Sequence, residues 1–287
     1  MFNQYTKELK SSFNNMTAAA YIAFILVLTG IYTTVYNLVS RYPTFEYALI
    51  QTVFIFLVAV PILTMRSFAD EKAQKTDQLL YSLPVGMTRV VIGKFLALIS
   101  INAIAVLVVS IYPLIFSFYG KINFLMTYSN ILAYFLLGCA LISIGMFISS
   151  LTESVVLSAV STLGTLIIIY FIDTIALLIP GDPWVSLVCF IIVSVAVGAL
   201  VYLFVKNITV SAVAGTVLTV ASVAVYVINK DLFAGLFPSI LEKLDIFGIL
   251  NNFLLGIFDV GTIVYLISVT CLFVFLTVRS MEKKRWS

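Results

Sequence analysis

The sequence YSNILAYFLLGCALISIGMFIS, residues 128–149, contains no charged residue. At a rise of 1.5 Å per residue, a helix of about 20 apolar residues crosses the hydrocarbon core of a bilayer, which is roughly 30 Å thick. Residues 128–149 therefore have the length and the composition of a membrane-spanning helix. Seven further stretches are similarly long and apolar: 17–38, 47–65, 90–118, 155–179, 184–205, 208–228 and 260–278.

The composition of the whole chain agrees with this interpretation. Of its 287 residues, 62% are hydrophobic and 10% are charged, whereas a soluble domain has about 25% charged residues. Almost every residue lies in an apolar stretch or in a short connection, which leaves no room for a soluble catalytic domain. We therefore predict an all-α polytopic membrane protein with a single transmembrane domain over residues 17–287.

The number of spans stays open between six and eight. Residues 184–205 and 208–228 are separated only by Lys206 and Asn207. They form either a full helical hairpin, which gives eight spans, or a buried re-entrant pair, which gives six. The length of the two stretches favours full spans.

The distribution of basic residues predicts the orientation, because cytoplasmic loops of membrane proteins carry an excess of Lys and Arg. With the N-terminus inside, only Arg41, Lys121, Lys230 and Lys243 of the 16 basic residues lie outside the cell. We therefore predict that both termini are cytoplasmic.

Two segments outside the spans have an amphipathic pattern. In residues 1–16 an apolar stripe of Phe2, Tyr5, Leu9, Phe13 and Met16 lies opposite Lys7, Lys10, Ser11 and Asn14. This pattern predicts a helix that lies flat on the membrane surface, with a frayed tail as the alternative. Residues 231–257 contain a second such pattern on the extracytoplasmic side, either a lateral gate helix or a plain connector.

The longest cytoplasmic connection is RSFADEKAQKTDQLLYSLPVGMTR, residues 66–89. Good helix formers run through residues 68–81, and Glu71 and Lys75 are spaced one turn apart in the favourable order. Pro84 disfavours a helical conformation for the residue before it, so the helix is expected to end there. These features predict a helix that projects from the membrane, and a plain solvated helix is the alternative.

The motif that begins in this connection resembles ABC-2 type permeases. Residues 68–98, FADEKAQKTDQLLYSLPVGMTRVVIGKFLAL, are similar to the family pattern of F-x-x-E, a D/E-x-L-L-x-x-P-V motif and R-x-x-x-x-G-K. The matching residues are Phe68, Glu71, Asp77, Leu79, Leu80, Pro84, Val85, Arg89, Gly93 and Lys94. Residues 7–15, KELKSSFNN, resemble the N-terminal elbow helix of the family. Residues 254–286 are similar to the ending of its gliding-motility permease branch.

This resemblance implies the permease subunit of an ATP-binding cassette exporter in a bacterial inner membrane. It implies that residues 66–89 form a coupling helix that docks on a separate ATPase, of which two copies are expected. A second permease chain, identical or different, would complete the translocation path for an amphiphilic substrate. Ser150 and Glu153, spaced as a capping box before the fifth span, would make a second ATPase contact.

ATP hydrolysis by this chain itself is not expected. Six residues separate Gly86 from Gly93 where a phosphate-binding loop has four, and Phe95 follows Lys94 in place of Ser or Thr. We therefore expect ATP and Mg²⁺ on the partner ATPase, and no cofactor on this chain. The chain contains no His, which removes the commonest metal ligand, and we expect neither a metal site nor a nucleic-acid partner.

Polar residues inside the spans provide the alternative hypothesis, an ion-coupled secondary transporter or channel. Asp173 and Asn102 lie within apolar stretches, where ionisable or polar side chains mark candidate cavity or gate positions. Lys94 lies one turn inside its span and is expected to extend toward the headgroups. The small number of such residues disfavours a carrier, and no catalytic constellation of an intramembrane enzyme is present.

Overall fold

The computed structural model of the chain describes residues 2–40, 42, 44–76, 86–118, 122–205, 208–248 and 259–286. The structure is 86% helical without a strand among the described residues, which confirms the all-α prediction. In chain order the α-helices are α1 (Phe2–Asn14), α2 (Thr17–Thr33), α3 (Phe45–Gln51), α4 (Phe56–Thr64), α5 (Ala69–Ala73), α6 (Met87–Val109), α7 (Ile111–Ser117), α8 (Phe124–Leu151), α9 (Val155–Tyr170), α10 (Ile172–Leu178), α11 (Pro183–Val205), α12 (Ile208–Ile228), α13 (Leu236–Leu244) and α14 (Val260–Trp286).

The helices provide five to six candidate membrane spans in the described part of the chain. Five segments are long and apolar enough: Thr17–Val39, Phe45–Ala73, Met87–Ser117, Phe124–Leu151 and Val260–Lys283. Helices α9 and α10 form a sixth if the break at Phe171 lies inside one span. Helices α11 and α12 are 23 and 21 residues long, and within the described residues they contain the shorter apolar segments Pro183–Ala199 and Gly215–Val227. The described residues thus reach the lower limit of the predicted six to eight spans, and Lys206 and Asn207 lie outside them.

The chain divides into two compact units. The first consists of Met1–Ile169 and Ile246–Ser287, and the second of Tyr170–Asp245. In the first unit α2, α4, α6 and α8 pack against one another, α14 lies along α8 and α6, and α1 crosses α6. The single transmembrane domain that we expect over residues 17–287 stays a prediction.

The core of the first unit depends on close helix packing. A Cβ atom on Gly138 of α8 would lie 2.6 Å from Nδ2 of Asn102 on α6, so only glycine fits there without a shift of Asn102. The Tyr21 hydroxyl on α2 donates to Asn102 Oδ1 over 2.8 Å, and Asn102 Nδ2 donates to the Phe135 carbonyl over 3.2 Å. Small residues and satisfied polar groups at such contacts are typical of membrane helix bundles.

The second unit contains a pair of packed helices, α11 and α12, with α13 packed on α11 and α10. The amphipathic helix predicted within residues 231–257 is present as α13. Phe190 on α11 makes edge-to-face contacts with Phe233 and Phe237, with ring centroids 5.7 and 5.3 Å apart. These aromatic contacts hold α13 and the turn before it against α11.

Candidate coupling site

One end of the first unit collects basic side chains, and we name it the basic end. Helix α1, helix α5 and the start of α6 meet there with the ends of α8 and α14. Its described basic residues are Lys7, Lys10, Arg66, Lys72, Lys75, Arg89, Lys94, Arg279 and Lys283. The same residues form most of the predicted cytoplasmic set, so the fold brings together the charges on which the predicted orientation rests.

The predicted N-terminal helix is present as α1 and packs on α6. The Tyr5 hydroxyl lies 3.1 Å from the Ser100 hydroxyl, and Glu8 Oε1 lies 2.9 Å from Lys94 Nζ. After α1 the backbone turns at Met16, whose φ of 57° is left-handed. Residues 2–14 are therefore a packed helix and not a frayed tail, while their position on a membrane surface stays a prediction.

Lys94 occupies the centre of the site. Its side chain is only 2% exposed, and Nζ lies 2.9 Å from both Glu8 Oε1 and Glu71 Oε1. Nζ also donates to the Ser67 carbonyl over 2.6 Å and lies 4.9 Å from the centre of the Phe68 ring. We name Glu8, Lys94 and Glu71 the ion triad. Our expectation that Lys94 extends toward the headgroups is wrong, because its ammonium group points into the protein.

The ion triad joins three parts of the chain that are distant in sequence. Glu8 lies on α1, Glu71 on α5, and Lys94 in the third turn of α6. Removing one member of a buried ion pair costs about 3–5 kcal/mol, because the remaining charge loses its partner. The triad therefore resists separation of α5 from α1 and α6.

Helix α5 is also bound to the end of α8. The Ser149 hydroxyl accepts hydrogen bonds from the backbone N–H groups of Phe68 (3.1 Å) and Ala69 (3.2 Å), where α5 begins. It lies 3.3 Å from the Met65 carbonyl, to which it donates. Lys72 Nζ donates to the Ser150 carbonyl. The basic end thus presents α5 as an element fixed to α1, α6 and α8.

The helix predicted over residues 68–81 is wrong at residues 74–76, which are not helical, while residues 77–81 lie outside the described residues. Helix α5 ends at Ala73, and Lys75 adopts a left-handed φ of 57°. Hydrogen bonds from Thr76 N to Glu71 O (2.9 Å) and from Lys75 N to Lys72 O (3.0 Å) close the pattern of a Schellman motif. Because Lys75 lies beyond the end of α5, the expected pairing of Glu71 with Lys75 along one helix does not occur. Glu71 pairs with Lys94 instead.

The structure describes three of the eight residues expected to form the ATPase contact. Phe68 is buried beside Lys94, Glu71 belongs to the ion triad, and Arg89 is exposed in the first turn of α6. The other five lie outside the described residues: Asp77, Leu79, Leu80, Pro84 and Val85. Phe68 and Glu71 thus face the interior of the bundle, which suits residues that hold α5 in place.

The expected second contact has a different local structure from the one predicted. Ser150 does not start the fifth span as a cap, because α8 continues to Leu151 and the Ser150 hydroxyl donates to the Phe147 carbonyl over 2.6 Å. The hydroxyl that caps α9 belongs to Ser154, which accepts from Leu157 N at 3.5 Å. Ser150 is buried and Glu153 is exposed, so Glu153 is the accessible one of the two.

The two candidate cavity residues lie in different surroundings. Asn102 is fully buried among α2, α6 and α8 and is held there by Tyr21. Asp173 is exposed in the first turn of α10, where a carboxylate interacts favourably with the helix dipole. A third polar residue, Glu46 at the start of α3, is 3% exposed and accepts a hydrogen bond from Thr127 on α8.

Sequence reasoning missed several of these residues. Glu8 could have been identified as a candidate partner of a cation, since it is the sole acidic residue in residues 1–16. Ser149 and Lys72 could not have been identified from the sequence, because a serine inside an apolar stretch and a lysine in a polar loop are both common. Glu46 was missed because it lies immediately before the predicted second span.

Comparisons with known proteins bear on the part of the chain that contains the site. The sequence pattern of a family described as "ABC-2 family transporter protein" matches residues 2–183. That range includes Glu8, Glu71, Lys94 and Ser149, whereas residues 184–287 lie outside it. No curated protein and no solved structure matches the chain. Among the described residues, no group of three or more Cys, Asp or Glu side chains is arranged to hold a metal ion.

Proposed function

Because the chain belongs to the ABC-2 family of transporter proteins, we propose that it is the permease subunit of an ABC exporter. The family is a transmembrane component that associates with an ABC ATPase and is not itself the ATPase. In the proposed complex two ATPase subunits bind ATP and Mg²⁺ beneath two permease chains, which are identical or different. An amphiphilic substrate passes through the interface between the permease chains.

The observation that carries this proposal is the ion triad. Segment 66–89 is the family motif expected to touch the ATPase, and its helix α5 is bound to α1 and α6 through Glu71, Lys94 and Glu8. A force applied to α5 by the ATPase would act on both helices at once, because separating them would leave a charge buried without its partner. We propose that nucleotide-driven closure of the ATPase subunits moves α1, α5 and α6 together.

The proposed orientation places the basic end in the cytoplasm of a bacterial cell, with the chain in the inner membrane. The rule that cytoplasmic loops are rich in Lys and Arg supports this, as does the clustering of those residues at one end of the first unit. Both termini then lie in the cytoplasm, and Glu153 provides a second, smaller ATPase contact. The resemblance of residues 254–286 supports assignment to the gliding-motility branch.

One residue supports the alternative function, an ion-coupled secondary transporter or channel. Glu46 is a buried carboxyl group bonded to Thr127, and buried ionisable groups in membrane spans are candidates for proton or ion transfer. A carrier of this kind would transport without an ATPase subunit.

Affinity purification of the chain from its native membrane in mild detergent, followed by mass spectrometry, separates the two proposals. The exporter proposal expects a P-loop ATPase in near-stoichiometric amount. Absence of such an ATPase, under conditions that keep other membrane complexes intact, would overturn it. Glu46→Gln and Asp173→Asn would then be the first variants to examine.

A further inference from the structure

A groove on the surface of the first unit runs between α6 and α14 at the basic end. Its volume is about 470 Å³, within the range of roughly 300–1,000 Å³ that is usual for small-molecule sites. The walls are largely apolar, and they include Ile92 and Phe95 on α6 and Val274, Phe275 and Val278 on α14. Charged side chains line one end only, where Arg279 and Glu282 are found together with Thr88.

The length of the groove matches one leaflet of a bilayer. On α14 the lining residues run from Thr270 to Glu282, which at 1.5 Å per residue is about 18 Å. Half of a hydrocarbon core that is about 30 Å thick is about 15 Å. An acyl chain lying in the groove would therefore extend from its charged end to near the middle of the membrane.

The charged end suits an anionic headgroup. Arg279 is 65% exposed, stacks 5.1 Å from the centre of the Phe275 ring and lies 3.3 Å from Glu282, which is 37% exposed. Ion pairs between exposed groups contribute little to stability, so a phosphate can compete with Glu282 for Arg279. Arg89 is exposed in the first turn of α6, which adds a second cation at this end of the first unit.

We propose that this groove binds an anionic phospholipid of the adjoining leaflet. One acyl chain lies between Phe95 and Val274, and the phosphate lies at Arg279 with the Thr88 hydroxyl as a further donor. Basic pockets between membrane helices are known to suit such headgroups. The bound lipid would hold the end of α14 against the start of α6, the helix that carries Lys94.

The test uses the full chain with its co-purifying partners in phosphatidylcholine vesicles that contain a minor fraction of phosphatidylglycerol. After extraction and washing with detergent, mass spectrometry gives the phosphatidylglycerol retained per chain. Val274→Trp fills the groove, and Arg279→Gln removes the headgroup partner. Leu272→Trp, on an exposed position of α14 outside the groove, and Lys10→Gln, an exposed cation on α1, are the matched controls.

We expect wild type and both controls to retain phosphatidylglycerol above its fraction in the vesicles. Val274→Trp should lose this retention, and Arg279→Gln should lower the preference for phosphatidylglycerol about fivefold, the factor for one basic residue near an anionic surface. Equal retention of phosphatidylcholine would overturn the anionic headgroup. Retention that survives Val274→Trp, or cross-linking of a cysteine placed at Val274 to a second copy of the chain, would overturn the lipid site.

Discussion

Lys94 Nζ on α6 lies 2.9 Å from Glu71 Oε1 on α5, and the same ammonium group is paired with Glu8 on α1. Two residues of one sequence motif, Glu71 and Lys94, are thus paired with each other, and Lys94 also binds the N-terminal helix. The position of α5 relative to α1 and α6 therefore depends on the Lys94 ammonium group as well as on the two carboxylates.

Replacing Lys94 by Met should destabilise the protein by up to about 3–5 kcal/mol, because Glu8 and Glu71, which are only 18% and 20% exposed, would lose the cation that they share. Thermal denaturation of the purified chain in detergent measures the loss, and Lys10→Met, at an exposed position of α1, is the matched control. Adding Glu8→Gln and Glu71→Gln to Lys94→Met should recover most of the stability. Equal melting temperatures for Lys94→Met and wild type would contradict the buried triad.

Glu8→Gln and Glu71→Gln should not act independently. Each single variant leaves Lys94 one carboxylate, whereas the double variant leaves none, so the double variant should lose more than the sum of the singles. The expected coupling is about 0.5–3 kcal/mol. Glu8→Gln combined with Glu282→Gln, whose ion pair is with Arg279, provides the control and should be additive. Additivity in both pairs would mean that Lys94 does not link the two acids.

Ser149→Ala should loosen α5 without disturbing the bundle. The variant removes the acceptor of the Phe68 and Ala69 N–H groups, and loss of a helix cap costs about 0.5–2 kcal/mol. Hydrogen exchange of residues 66–76 should become faster. Ser143→Ala is the matched control, since Ser143 is also buried on α8 but donates only within that helix, to the Ala140 carbonyl. Equal exchange in the two variants would argue against docking through Ser149.

Two glycine substitutions should change stability in opposite directions. Gly138→Ala forces Asn102 to move and disturbs its bond to Tyr21, at a cost of about 1–3 kcal/mol. Gly164→Ala on α9 meets no atom within 4 Å and should stabilise the helix by about 0.5–1 kcal/mol. Melting temperatures in detergent test both. A neutral Gly138→Ala would show that α6 and α8 are less closely packed than described.

The long apolar helices were predictable from sequence, because a run of apolar residues long enough to cross a bilayer favours a helix. The stretch 208–228 coincides with α12, and 128–149 lies within Phe124–Leu151. The N-terminal helix was predictable for a similar reason, since its apolar stripe has helical spacing. The apolar patterns within these single helices therefore gave correct predictions.

Features that depend on contacts between distant segments were not predictable. The direction of the Lys94 side chain depends on carboxylates 86 residues before it and 23 residues before it, at Glu8 and Glu71. The end of α5 was missed because a left-handed residue at a helix end is usually glycine, and here it is Lys75. The proposed cap at Ser150 failed because α8 continues past the predicted end of its span.

Photo-cross-linking from the basic end tests whether an ATPase subunit docks there. A photoreactive amino acid placed at Lys75, exposed just beyond α5, should form an adduct with the ATPase subunit in the native membrane. The same amino acid at Tyr47, which is exposed at the opposite end of the first unit, should form none. We expect adducts with the ATPase from Lys75 alone. Adducts from Tyr47, or none from Lys75 in membranes where the ATPase co-purifies, would rule out docking at the basic end.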